Sequence, residues 1–453
     1  VNAERASVRR LQTTVAGLTL ACCCVAAQAE DLLDVYRAAR QMDPALLEAQ
    51  QAHQAAIARV EQARAVFFPN ASFSTSGGDT TGKYSFDADE SDRRSRAWNW
   101  KLQVTQPVFR MPEMKAVEQA RAQAERADAR LEQVERDLAL RVIKAYLDVE
   151  LATSSVELAG VQLTAYQEQL RQAEQGLELG THSRVDILDS RSRVEASRAQ
   201  RIAALNEARV RRAEVARITG MAPETLQRVR EDALVALPAR ADAEFWSERA
   251  RYMSAQVRER RAALAAAEVE VSKSRAEHLP RLDLVGSLAA ASQSQNTASQ
   301  LNFASRSRTS ELLLQLVVPI FSGGAMSART RETQAEVMQA RAQLEAALRE
   351  VDSLTEQAYL GIASGLAEVQ SLQAAREAAR GALSAIETSV KLGARTLVDV
   401  LNAQQHLYTV ERDLLKVRHG LLLNQVKFTL ATEVFDIETI RAMNLWFEPA
   451  GKN

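Results

Sequence analysis

The chain has 453 residues, and its 57 Lys and Arg balance 58 Asp and Glu, so the net charge of −1 excludes a bulk electrostatic attraction to nucleic acid. Its 17 glycines and 9 prolines are about half of the roughly 12 % that average usage gives, and apolar residues reach 46 % with aromatics at only 5 %. This Ala-rich composition, poor in helix breakers, predicts long helices packed through small side chains and excludes a large aromatic globular core.

Residues 1–29 read as a secretory signal: Arg5, Arg9 and Arg10, then an uncharged stretch over 11–25, then Ala27-Gln28-Ala29. Cys22, Cys23 and Cys24 all fall inside it, so the mature chain has no thiol for disulfide, metal or nucleophilic chemistry. An alternative takes Thr19-Leu20-Ala21-Cys22 as a lipoprotein site that leaves Cys22 acylated. Beyond this segment no uncharged run reaches the 18 to 20 residues of a spanning helix, so any membrane crossing must use strands.

The order expected of the first half is helix 32–66, strand 71–76, strand 98–109, long helix 114–179 and helix 185–219. The second half repeats it: helix 243–277, strands 282–289 and 310–320, long helix 325–392 and helix 397–431. Phe68-Pro69 recurs as Leu279-Pro280, Pro107-Val108-Phe109 as Pro319-Ile320-Phe321, and Gly180 as Gly393, always 211 to 213 residues on, so the mature chain is a tandem duplication. The polar tracts 77–97 and 291–309 are expected to be hairpin loops. In the strands Trp98, Trp100, Leu102 and Val104 alternate with Asn99, Lys101, Gln103 and Thr105. That period suits an outer-membrane barrel or a soluble sandwich. Leu131, Val134, Leu138, Val142, Ala145 and Val149 begin a heptad seam, and 66 helical residues span roughly 100 Å. Four strands cannot close a membrane barrel, whose smallest examples need about eight, so several chains must share one.

These features make the sequence resemble the TolC family of outer-membrane efflux proteins over essentially the whole mature chain. The resemblance is carried by Val35-Tyr36-Arg37-Ala38-Ala39-Arg40 with Asp43-Pro44, by Pro319-Ile320-Phe321-Ser322-Gly323-Gly324 and, most specifically, by Gly393-Ala394-Arg395-Thr396-Leu397-Val398-Asp399-Val400-Leu401. It implies a mainly α fold with a small β part: long coiled-coil helices forming a trimeric α-barrel that continues into a shared 12-stranded outer-membrane β-barrel. Residues 30–219 and 242–432 would be the two repeats, with 220–241 and 433–453 as equatorial segments between and after them. It further implies a homotrimer in the outer membrane of a Gram-negative bacterium, in contact with its lipid. A periplasmic adaptor and an inner-membrane transporter of ABC or RND type would be its partners. The protein would be a passive export channel, with type I protein or toxin secretion favoured over small-molecule efflux. A soluble periplasmic scaffold and a lipidated surface protein without a pore are the alternatives.

Gly180 and Gly393 stand where a long helix turns back, which makes the repeated phrase a helical hairpin tip. By the resemblance, Asp399 lines the periplasmic entrance, and Asn402 replaces a second Asp there. Like charges around an axis would raise the apparent pKa of Asp399 and attract cations, while a lone Asp near a helix start is otherwise a capping residue. Arg395 would bridge to Asp186 as a gate latch, loosened because Val390 stands where some members carry a tyrosine. Thr181, Leu188 and Leu401 join the two glycines as candidate adaptor-docking positions. His53, His182, His278, His406 and His419 are scattered without ligand spacing, and no phosphate loop or nucleophile elbow is present in the sequence, so no metal, cofactor or enzymatic activity is expected.

Overall fold

The computed structural model describes residues 31–86, 89–221, 226–230, 233, 242–294 and 304–448. The expected signal segment and its three cysteines lie outside them. In chain order the elements are α1 Leu32–Met42, α2 Pro44–Ala65, β1 Asn70–Phe86, β2 Asp89–Phe109, α3 Met111–Glu178, α4 Arg184–Thr219 and β3 Arg228–Val229. Then follow α5 Ala243–Met253, α6 Ala255–Ala276, β4 Arg281–Gln293, β5 Ser305–Val317, α7 Ala325–Lys391, α8 Leu397–Thr432, α9 Ile437–Asn444 and β6 Phe447–Glu448.

The expected first helix of each half is broken in two. Asp43 is extended (φ −69°, ψ 117°) because the ring of Pro44 disfavours a helical residue before it, and its carboxylate accepts from Leu46 N at 2.9 Å to cap α2. Ser254 makes the matching break with φ −66° and ψ 121°, though no proline follows it.

Contacts divide the chain into two compact units. One holds residues 48–133 and 255–349, including a four-stranded antiparallel sheet in the order β1-β2-β4-β5. Here the expected hairpin loops are corrected. β1 runs on to Phe86 and β2 starts at Asp89, while β4 and β5 extend to Gln293 and from Ser305. Polar residues continue the ladder because neither face of the sheet is covered by a core, and cross-strand groups pair: Ser76 Oγ donates to Asn99 Oδ1 at 2.7 Å, and Asp79 meets Arg94 and Arg96 at 2.9 Å each.

The register gives the sheet two unlike faces. One carries the rows Ala71–Val104–Gly286–Leu312, Phe73–Leu102–Leu288–Ser310, Thr75–Trp100–Ala290–Arg308 and Gly77–Trp98–Ser292–Arg306. The other carries Ser72–Gln103–Ser287–Glu311, Ser74–Lys101–Ala289–Thr309 and Ser76–Asn99–Ala291–Ser307. Leu312 on the apolar face is 75 % exposed, and Phe73 and Trp98 on the same face are 65 % and 50 % exposed, so none of the described residues buries them. Arg110 clamps the helix end of the sheet with two bonds to Asp283, at 2.7 and 2.8 Å.

The expected α-barrel running into a closed 12-stranded barrel is not the architecture found. The sheet is open, with β1 and β5 as edges, because four strands in this order leave their outer sides unpaired. Among the described residues no helix is long and apolar enough to cross a membrane. The mainly α composition with a small β part holds.

The other unit holds residues 31–47, 134–254 and 350–448 among those described. The seam of α3 is its core: Leu138, Val142, Val149, Ala159 and Tyr166 are buried. Trp246 meets Phe428 edge-on at 5.0 Å, beside Ile362 and Leu421. The segments after each repeat meet as β3 pairs antiparallel with β6, and Phe447 packs on the buried Tyr146 at 4.8 Å. Asp148 has a largely buried side chain, with Lys144 Nζ at 2.8 Å and His419 Nε2 at 2.9 Å. Burial opposes its charge, but contacts from His419 and Lys144 outweigh that and hold the carboxyl below its ordinary value.

Candidate gate at the helical hairpin tips

Both tips are built from the same local code. α3 ends where Gly180 takes φ 74°; Thr181 N donates to Gly176 O at 2.8 Å and Gly180 N to Leu177 O at 3.1 Å. α7 ends where Gly393 takes φ 72°; Ala394 N donates to Ser389 O and Gly393 N to Val390 O, both at 2.9 Å. This paired closure needs a left-handed residue, which glycine supplies without a Cβ penalty. Three residues on, Ser183 caps α4 and Thr396 caps α8, each in a reciprocal box with the Asp three positions later.

In the first box Asp186 Oδ2 accepts from Ser183 N and Oγ, both at 2.8 Å. In the second, Asp399 Oδ2 accepts from Thr396 N at 3.0 Å and from Thr396 Oγ1 at 2.9 Å. The backbone bond, then the hydroxyl, hold both carboxyls below the ordinary aspartate value, and the Arg395 charge, 3.8 Å away, adds to this at Asp399. Within the chain, then, Asp399 caps α8 and its carboxyl is held below the ordinary value.

The tip regions are joined by a small core and by polar bonds. Leu397 and Leu401 of α8 pack with Leu163, Tyr166 and Ala173 of α3 and Val194 of α4. The Tyr166 hydroxyl donates to Gln405 Oε1 at 2.9 Å, and Gln162 Nε2 reaches the same oxygen at 3.1 Å. Arg193, oriented by Asp189 at 3.2 Å, donates from its guanidinium to Asn402 Oδ1 at 2.9 Å.

The outer membrane efflux protein model matches residues 35–221 and again 246–432, the two halves of the duplication. The chain belongs to the outer membrane efflux protein family. It is 29 % identical over 440 residues to the alkaline protease secretion protein AprF of Pseudomonas aeruginosa, covering 95 % of this chain and 90 % of that one. It is 25 % identical to the outer membrane protein TolC of Escherichia coli, covering 96 % of this chain and 89 % of TolC. The solved Campylobacter jejuni CmeC outer membrane channel shares the fold with a TM-score of 0.77 at 13 % identity, over 92 % of this chain and 90 % of that one. The outer-membrane channel OprN does so with a TM-score of 0.75 at 20 % identity, over 89 % and 92 %. This family member is thus a TolC-like transport channel component of the Gram-negative outer membrane, and not an enzyme. Its family works within multicomponent export systems.

Against this geometry the sequence-derived site residues divide. Gly180, Gly393 and the exposed Thr181 form the turns; Leu188, 64 % exposed, is open to a partner. Leu401 is fully buried in the inter-hairpin core. Arg395 and Asp186 are not brought together: Arg395 pairs with Asp399, and Asp186 with Ser183. Asn402 is bonded by Arg193, a residue that sequence reasoning missed because it is one of many arginines along α4. Gly176 was missed too; a Cβ there would meet the His182 ring at 2.6 Å, and its carbonyl closes the turn. Among the described residues no cluster of ligating side chains could hold a metal ion.

Proposed function

We propose that this chain is the outer-membrane conduit of an export machine, passively carrying cargo handed over by an inner-membrane transporter through a periplasmic adaptor. The observation that carries this reading is the sheet: one face apolar and bare, the other lined with Ser, Gln, Lys, Asn and Thr. Such a face is stable against lipid, and such a lining is compatible with water. The homotrimer is the working state in this proposal. Adaptor contact falls on the exposed tip residues Thr181 and Leu188 around Gly180 and Gly393. Asp399 supplies the charge at the entrance, and Asn402 beside it is a hydrogen-bonding rather than an ionic position. The restraint on opening is assigned to the bond from Arg193 to Asn402 in place of one from Arg395 to Asp186.

Type I protein secretion is the favoured pathway, since AprF and the proteases secretion protein PrtF of Dickeya chrysanthemi, 28 % identical over 328 residues, are both named for protease export. The test is reconstitution of the purified chain into planar bilayers, followed by co-expression with an ATP-driven transporter and its adaptor. Discrete conductance and export of a protein substrate are expected. A water-soluble protein without conductance would instead identify a periplasmic scaffold, and conductance with drug efflux alone would reassign the cargo.

A further inference from the structure

The sheet has a charged margin that the conduit does not explain. The apolar face changes character along its length. Leu282 and Leu316 stand in one row at the helix end, Leu284 and Leu314 in the next, and then come the rows of Leu312 and Leu288. Trp100 and Trp98 follow, in register with Arg308 and Arg306. One row further out on the same face is Arg96, opposite Asp79, and then Arg94, opposite Thr81. From Leu282 to Ser292 is about 33 Å along the strand at ~3.3 Å per residue, or about 25 Å of depth at the usual tilt of membrane strands. That is the height of the apolar band of an outer membrane, which places the tryptophans and arginines at its far boundary.

The charge on this margin is one-sided. Arg94 and Arg96 share the single carboxylate of Asp79, at 2.9 Å each. Arg306 and Arg308 are exposed and have no ion-pair partner among the described residues. A guanidinium matches a phosphate bidentately, and a neighbouring Trp fixes the depth of the strand at the headgroup level.

We propose that Arg306 and Arg308, with Trp98 and Trp100 two strands away in the same rows and Arg94 and Arg96 adding charge, bind the phosphate groups of phosphorylated lipid headgroups in the outer leaflet. The inference rests on the outer-membrane conduit reading, because it needs the helix end of the sheet on the periplasmic side. The occupant is a lipid rather than a soluble anion: the arginines continue a bare apolar face, so acyl chains and headgroup phosphate are met by adjacent rows of the same strands. Its role is to anchor the sheet at a fixed depth and to draw acidic lipid around the chain.

The experiment titrates diphosphorylated lipid A into the full-length protein in neutral detergent, with fluorescence of Trp98 and Trp100 as the reporter. At roughly fivefold per arginine near an anionic surface, R306Q/R308Q weakens apparent affinity about 25-fold, and R306K/R308K, which restores the charge but not the bidentate fork, recovers part of it. Lipid A stripped of phosphate binds the unaltered protein at least about 25-fold more weakly than the phosphorylated lipid does, a comparison that needs no variant to fold. Equal affinity for the two lipids overturns the proposal, as does an unchanged R306Q/R308Q or full displacement of the lipid by excess inorganic phosphate. Conductance in pure phosphatidylcholine bilayers separates the two readings: its loss counts against the conduit, whereas its persistence beside indifferent lipid binding counts against the phosphate row alone.

Discussion

The bond from Arg193 to Asn402 is the contact on which the closed tip is expected to turn. Arg193 is three-quarters enclosed and held by Asp189, so little side-chain freedom is lost when it meets Asn402. A hydrogen bond to a charged donor contributes about 1.5 to 3 kcal/mol when buried; exposure of Asn402 reduces this to about 1 kcal/mol. That corresponds to about fivefold in the ratio of open to closed states for each chain. The perturbations are Arg193→Gln, Asn402→Ala and their combination, read as open probability in single-channel recordings. With three copies in the proposed trimer, each single change is expected to raise opening at least about fivefold, and the double change no further than either single change, because both remove one interaction. Asn402→Asp should do the reverse, since a carboxylate adds ionic attraction to a bond that already has a charged donor. Independent, multiplying effects of the two single changes, or an Asn402→Asp channel that opens more readily, would refute the assignment.

Other expectations follow from the same tips and core. Asp399→Asn should lower cation preference while leaving adaptor-dependent export intact, measured as reversal potential in a salt gradient; an unchanged reversal potential removes Asp399 from the entrance. Gly393→Ala places a Cβ at φ 72° and should cost about 1 kcal/mol in thermal stability, with Gly393→Asn milder. Leu401→Ala should cost about 3 kcal/mol because the side chain is fully buried, whereas Leu188→Ala should leave the melting temperature alone and weaken crosslinking to the adaptor. The carboxyls of Asp148, Asp186 and Asp399 all lie below their ordinary value, so the stability they contribute is complete above about pH 4 and is lost as pH falls through their lower folded-state values. Melting temperatures should therefore agree at pH 7 and 5 and drop at pH 3, with a smaller drop in Asp148→Asn.

Much of the helical part is legible in the sequence, because heptad spacing and the Gly-x-x-Ser/Thr-x-x-Asp phrase are local signals. The long helices end within a few residues of where Gly180 and Gly393 predict. Strand length is not legible: Ser, Gly and Arg over 77–97 look like loop residues, yet a ladder exposed on both faces accepts them. The break at Ser254 has no breaker residue to announce it, whereas Asp43 had Pro44 beside it and was still passed over. At the tips, family resemblance pointed to Asp399 and Arg395 but not to their mutual pairing, which the capping geometry imposes by putting Asp399 at the third helical position. The burial of Leu401 was not legible, because exposure depends on which helix lies opposite, and no single-helix pattern contains that.

The open sheet also has a consequence for biogenesis. Its outer strands present unpaired backbone groups beside a greasy surface, the combination that templates intermolecular stacking in water. In water such a surface favours aggregation, so insertion into lipid and aggregation compete for the same exposed groups.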